Sequence, residues 1–228
     1  MKHAGIWFLS LVISSMAFAQ KNDSAIALIK KSLTDSKEKI KHYEWIETTI
    51  TYVKGDQKSK KQTRCYYDVT GKLIKVATGE TQAAEKSPGG LRGKAVDKKK
   101  DEMQDYIEKS IAKIQAYLPP DPAKLQQIYG SGKAVVHVVE PNKKFKLDFP
   151  SYLQQGDMIS VALDKEKNLL NGLSVNTYLD KPDDKINFET NYGSLPDGTQ
   201  YPASTTLDAQ AKNVKIVIQN AGYKKTVN

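Results

Sequence analysis

His42, Glu44 and Glu47 form the one stretch where an imidazole and carboxylates crowd together. A metal site needs three or four ligands at fixed spacing, and His-x-Glu at a helix-to-strand junction supplies too few, so the reading is a junction residue and no metal. His137 stands inside Val135-Val136-His137-Val138-Val139, the pattern of a strand residue with a satisfied ring, with no base or nucleophile beside it. Asp180, Asp183 and Asp184 lack the spacing of a calcium loop and are flanked by Lys181 and Lys185, which reads as turn chemistry. Cys65, the single cysteine, lies in Thr63-Arg64-Cys65-Tyr66-Tyr67, a strand pattern, and is expected to be a buried, inert thiol. The chain has no Gly-x-Ser-x-Gly elbow, no Ser-x-x-Lys, no His-Glu-x-x-His and no glycine-rich phosphate loop. No catalytic residue, metal or cofactor is therefore assigned. Carboxylate pairs that only folding brings together leave an unrecognised hydrolase as one alternative.

The 228 residues carry a formal charge of +9, supplied by 33 lysines and only two arginines, Arg64 and Arg92. Planar, bidentate reading of bases and phosphates favours arginine, so the composition argues against nucleic acid and for a lysine-coated, solvated surface. A single cysteine excludes an intramolecular disulfide, and stability must come from packing.

Lys2 and His3 precede an apolar run from Ala4 to Ala19 that closes on Ala17-Phe18-Ala19. Small residues at the −3 and −1 positions fit a signal peptidase, and the run is shorter than the roughly 20 residues that span a bilayer. The expectation is a cleaved signal, 1–19, and a single mature domain, 20–228, in the periplasm or outside the cell. The residue directly after the cleavage point is Gln20 and not a cysteine, which argues against a lipid-modified N-terminus.

The periodicity predicts an N-terminal helix over 23–41, with Ile26, Ile29, Leu33 and Ile40 on one face. A meander follows, with strands over 43–52, 61–69 and 73–78. Residues 80–100 lose all periodicity and read as a mobile loop; its basic run, Arg92 to Lys100, reads first as a solvated hinge, with contact to an anionic membrane face as the alternative. A second helix carries the stripe Met103, Ile107, Ile111, Ile114 and Leu118 and stops at Pro119-Pro120. A third begins with Asp121 as cap and Pro122 in its first turn, and ends at Gly130. From Ala134 the period of two returns, in strands separated by turns at Gln155-Gly156-Asp157, Asn171-Gly172, Pro182-Asp183-Asp184 and Pro196-Asp197-Gly198. The fold class is α+β: one large curved antiparallel sheet of about nine strands, with an N-terminal helix and two inserted helices packed on its apolar face.

This element order resembles the lipoprotein-localisation carriers of the bacterial periplasm, whose half-barrel holds helices in its apolar concavity. The stretches Leu195-Pro196-Asp197-Gly198-Thr199-Gln200-Tyr201-Pro202-Ala203 and Tyr117-Leu118-Pro119-Pro120-Asp121-Pro122 also resemble segments of exported bacterial proteins without an assigned activity. Neither Arg64 nor Arg92 stands at a position matching the lid arginine of those carriers, so no functional residue is carried over. The resemblance implies a soluble carrier that shields an acyl chain, gaining about 0.8 kcal/mol per buried CH2. The helix bearing Met103, Ile107 and Ile111 would then swing on a Gly89–Gly93 hinge, over a cavity lined by Phe145, Phe149, Phe188 and Tyr192. The alternative is an envelope interaction module with a filled core, making transient contacts with an envelope protein or a membrane surface.

Overall fold

The computed structural model describes residues 14–79 and 91–226, with side chains over 25–79 and 97–226. Ten strands form one antiparallel sheet: β1 (Tyr43–Val53), β2 (Asp56–Tyr67), β3 (Leu73–Ala77), β4 (Val135–Glu140), β5 (Lys144–Pro150), β6 (Met158–Asp164), β7 (Leu169–Tyr178), β8 (Lys185–Ser194), β9 (Gln200–Ala209) and β10 (Val214–Lys225). Their order is β3-β2-β1-β10-β9-β8-β7-β6-β5-β4. The pairing of β1 with β10 joins the two ends of the chain in the middle of the sheet, and strands adjacent in sequence, β3 and β4, become its opposite edges.

That topology dictates what the helices do. The connection from β3 to β4 must cross the full width of the sheet, and it does so through α2 (Leu91–Gln115) and α3 (Pro122–Gly130). A 25-residue helix is about 37 Å long, enough to pass several strand ends. Asp121 caps α3, its Oδ1 accepting from the Ala123 N–H at 2.9 Å, and Pro122 opens the first turn as the spacing predicts.

The alternation of the strands separates two faces. One carries continuous cross-strand rows, Phe149-Ile159-Val175-Phe188-Leu207-Ile216 and, beside it, Leu147-Val161-Leu173-Thr190-Thr205-Ile218. The two threonine hydroxyls in the second row lie 2.8 Å apart, one donating to the other, which gives each a polar partner on this face. Ile26 and Ile29 of α1 (Ser14–Lys39), Tyr106, Ile114 and Tyr117 of the α2 segment and Leu125 of α3 join these rows in a single core. The other face reads Asp148-Ser160-Ser174-Glu189-Thr206 and Asn176-Asn187-Asp208-Lys215. Five bulges interrupt the ladders, and each adds bend and twist to the sheet.

Several boundaries differ from the sequence expectation. The first helix begins at Ser14 and runs through the expected cleavage point, because nothing between Ser14 and Asp23 breaks a helix. The second begins at Leu91, so 91–100 is helix and not loop: its lysines and alanine are good helix formers, and a run of three lysines hides the period. The rest of the expected loop, with Gly89 and Gly90 of the hinge, lies outside the described residues, while Gly93 lies inside α2. β2 starts at Asp56, directly after a turn in which Lys54 and Gly55 have φ of 54° and 86°. Such a two-residue turn zips the following chain onto β1 whatever its hydropathy. Asn171-Gly172 is no turn: both residues lie within β7, and the reversal occurs before Leu169, where Asn168 has φ 53°.

Candidate functional site

The helices cover only part of the apolar face. α1 lies over β7 and β9, and α3 over β5. α2 runs along the strand-end turns and is tied to them by polar contacts. Tyr106 Oη donates to Asp184 in the β7–β8 turn at 2.7 Å, and Lys113 Nζ donates to Gln154 in the β5–β6 turn at 2.6 Å. Lys212, beyond β9, reaches the Glu102 carbonyl at 3.0 Å. Just past α2, Tyr117 Oη donates to Asp157 at 2.7 Å and lies 2.8 Å from Thr177 Oγ1. Asp157 also accepts from the backbone N–H groups of Tyr152, Leu153 and Gln154, which fixes the β5–β6 turn around the tyrosine.

The residues singled out from sequence fall at different depths. Phe149 is fully buried in the long apolar row. Phe188 and Tyr192 are partly buried against the core, as are Met103 and Ile107 on α2. Phe145 is half-buried near the β4 edge, and Ile111 is 38 % exposed. Of the expected stripe, Met103, Ile107, Ile114 and Leu118 pack against the core and Ile111 does not; Tyr106 and Ser110 of α2, and Tyr117 just past it, are buried as well. Sequence reasoning passed over the tyrosines because it followed aliphatic residues. Their spacing, 106 to 117 with Ile114 and Ser110 between, is itself helical. Beyond β5 the apolar rows run on to Val136 and Val138 of β4, paired with Leu147 and Phe145, and there they are exposed.

A second aromatic assembly lies away from that core. Trp45 of β1 stacks on Tyr223 of β10 at 5.5 Å between centroids and lies 6.1 Å from Tyr67 of β2; Tyr201 packs on Tyr223 at 4.2 Å. Cys65 is fully buried beside Trp45, as expected of an inert thiol, and burial, with Glu47 adding to it, pushes the thiol up. Tyr43 Oη donates to Asp197 at 2.6 Å; this bond, with those from Thr199, holds the carboxyl well below the ordinary range.

The remaining titratable groups are used structurally. His137 Nε2 lies 2.8 Å from Asp148 Oδ2, whose other oxygen accepts from Ser160 Oγ at 2.5 Å. The aspartate is central and the serine donates to it, so no base faces the hydroxyl and the arrangement is not that of an activated nucleophile. Lys75 pairs with Glu47, and Arg64 lies 3.9 Å from Glu44. Among the described residues no group of three or more His, Cys, Asp or Glu is placed to hold a metal, and no helix is long and apolar enough to cross a membrane. The polar face holds a half-open depression of about 510 Å³ over the small pair Ala162 and Gly172, with Lys146, Glu189, Asp208 and Lys215 around it.

No known protein family matches the chain by sequence, and no curated protein matches it. Two solved structures align with most of the chain at low similarity. A DUF1329 family protein from Desulfovibrio piger ATCC 29098 is 7% identical with a TM-score of 0.42, over 90% of this chain and 93% of that one. A LolA superfamily protein from Nitrosomonas europaea is 7% identical with a TM-score of 0.36, over 88% of this chain and 94% of the other.

Proposed function

We propose that this chain is an exported binding module that carries a lipid or another apolar ligand between the sheet and α2, in the periplasm or outside the cell. The observation that supports it is the incomplete helix layer. Apolar rows that are buried at Leu147 and Leu163 continue outward, the first to exposed Val136 and the second through half-buried Phe145 to exposed Val138. α2, with Met103 and Ile107 inward and Ile111 on its exposed side, is held at the strand ends by individual hydrogen bonds. An acyl chain entering beside Phe145 would add apolar contact without exposing any buried polar group, and release of those hydrogen bonds would let α2 move. Export rests on the Lys2–Ala19 signal pattern.

Purification from the periplasm without detergent, native mass measurement and melting curves with added fatty acids and phospholipids test this reading. Excess mass matching a lipid is expected, together with saturable stabilisation of about 2.7 kcal/mol when free ligand reaches a hundred times Kd. Ile111→Glu, at an exposed position, should leave the fold intact and weaken that stabilisation. A bare mass and unchanged melting with every lipid would refute the proposal. Trp45 sits in the separate aromatic assembly, so mass and melting are better readouts than its emission. The fully buried Phe149, Leu147, Val161 and Val175 favour a second reading, an envelope interaction module with a filled core.

A further inference from the structure

We propose that β4 is a self-association edge, pairing antiparallel with β4 of a second copy of this chain about a two-fold axis through His137. Edge strands of soluble proteins are normally blunted with lysine, proline or other charges. The opposite edge, β3, also exposes Leu73 and Val76 but is only five residues long and carries Lys75 at its centre, with Lys72 just before it. β4 is not blunted in this way: Val135, Val136, Val138 and Val139 are 49%, 41%, 60% and 65% exposed, and none of its residues from 135 to 139 is an acid or a lysine. This is a departure on a chain with 33 lysines.

The occupant follows from the sequence of the strand. Val-Val-His-Val-Val reads the same in both directions about His137, so an antiparallel pair centred there sets Val136 against Val138 and Val135 against Val139 of the other copy, twice over. The register also suits the sheet behind it. Val136 is paired with Leu147 and Val138 with Phe145, so the joint would create the rows Leu147-Val136-Val138-Phe145 across the two copies. The apolar face of each sheet would thus continue into the other, covering the valines that the helix layer leaves open. On the opposite face the two His137 rings would adjoin, each already held by its own Asp148 at 2.8 Å. The bulge at Val139, between the paired Val138 and Glu140, ends the straight run of the edge, so the regular part of the joint is Val136-His137-Val138 with Val135 and Val139 at its margins. Both copies are basic, so the joint is apolar in attraction and repulsive in long-range charge, and salt should strengthen it. An acidic partner strand on the same edge would show the reverse. The inference stands whether or not the apolar face takes a ligand.

Sedimentation of the purified protein over a concentration series, at low and high salt, should show a monomer–dimer equilibrium that tightens with salt. Val136→Lys combined with Val138→Lys should raise the dissociation constant by at least about a hundredfold, since each buried lysine costs more than one factor of ten. Both positions are exposed, and circular dichroism checks that the fold survives. As an independent readout, His137→Cys should give a covalent dimer on mild oxidation, because directly opposed Cβ atoms lie about 4.5–5.5 Å apart in an antiparallel pair. Lys72→Cys at the other edge should not, and Cys65 is buried. A protein that stays monomeric to millimolar concentration, a dimer indifferent to the lysine substitutions, or equal cross-linking at both edges would overturn the proposal. Loss of β4 amide exchange only on adding anionic vesicles would likewise overturn it, in favour of a membrane surface as the occupant.

Discussion

Tyr117 shows what a single side chain does in this molecule. It is fully buried, packs 6.0 Å from the Tyr152 ring and spends its hydroxyl on Asp157 and Thr177. Tyr117→Phe keeps the ring and strands the partners, so a loss of about 1–2 kcal/mol is expected, seen as a fall in Tm of roughly 2–8 °C. Asp157→Ala should cost more, because three backbone N–H groups lose their acceptor at once. Tyrosine ionisation offers a second check. Burial, reinforced by the Asp184 carboxylate it bonds, pushes Tyr106 up to about 12, and burial alone does the same for Tyr192. A phenol whose folded pKa is raised contributes stability that is complete below its ordinary value of 10.0 and is lost as pH rises through about 12. The protein should therefore lose stability between pH 10 and 12, and Tyr192→Phe should remove part of that loss, as read by melting across the pH series.

At the scale of the element, caps and close approaches decide the boundaries. Asp121→Ala removes the acceptor of the Ala123 N–H and should lower stability by about 1 kcal/mol, measured by urea unfolding. Gly193 matters through its lack of a side chain, since a Cβ there would lie 2.8 Å from the Tyr201 ring. Gly193→Ala must displace Tyr201, which rests on Tyr223, which in turn stacks on Trp45. Altered Trp45 emission with little change in the helical signal is the expected result. Legibility from the sequence also varied by element. α3 was readable because Asp121, Pro122 and Gly130 punctuate it, whereas the first half of β2, Asp-Gln-Lys-Ser-Lys-Lys, has no apolar alternation and becomes a strand because the Lys54-Gly55 turn lays it against β1. α2 was legible from its aliphatic second half, while its first turns, 91–100, were not, and the buried Tyr106 was missed.

Across the whole molecule the sheet is unevenly supported. β5 to β9 carry the core and the helices, while β1, β2 and β3 extend beyond them and are stabilised by ladder bonds and the Trp45 assembly. Amide exchange should accordingly be fastest in β3 and the Asp56–Lys61 part of β2 and slowest in β6 and β7. Phe149→Ala, at the fully buried β5 end of a continuous apolar row, should cost about 3–5 kcal/mol and destabilise the helices and strands together. The same substitution at Phe145 should cost less, because that ring is half-buried.

The sequence by itself determined the α+β class, the single antiparallel sheet and the burial of Cys65, because side chains alternating with a period of two commit each strand to one wet and one dry face. It also determined that no local motif for acyl transfer, zinc proteolysis or phosphate binding is present. Only the tertiary structure decided the strand order that makes β3 and β4 opposite edges, the course of α2 along the strand-end turns and the separation of Trp45 from the main core. Those features depend on which distant residues meet, such as Tyr43 with Lys225 and Tyr117 with Asp157, and local periodicity carries no information about pairs so far apart in the chain.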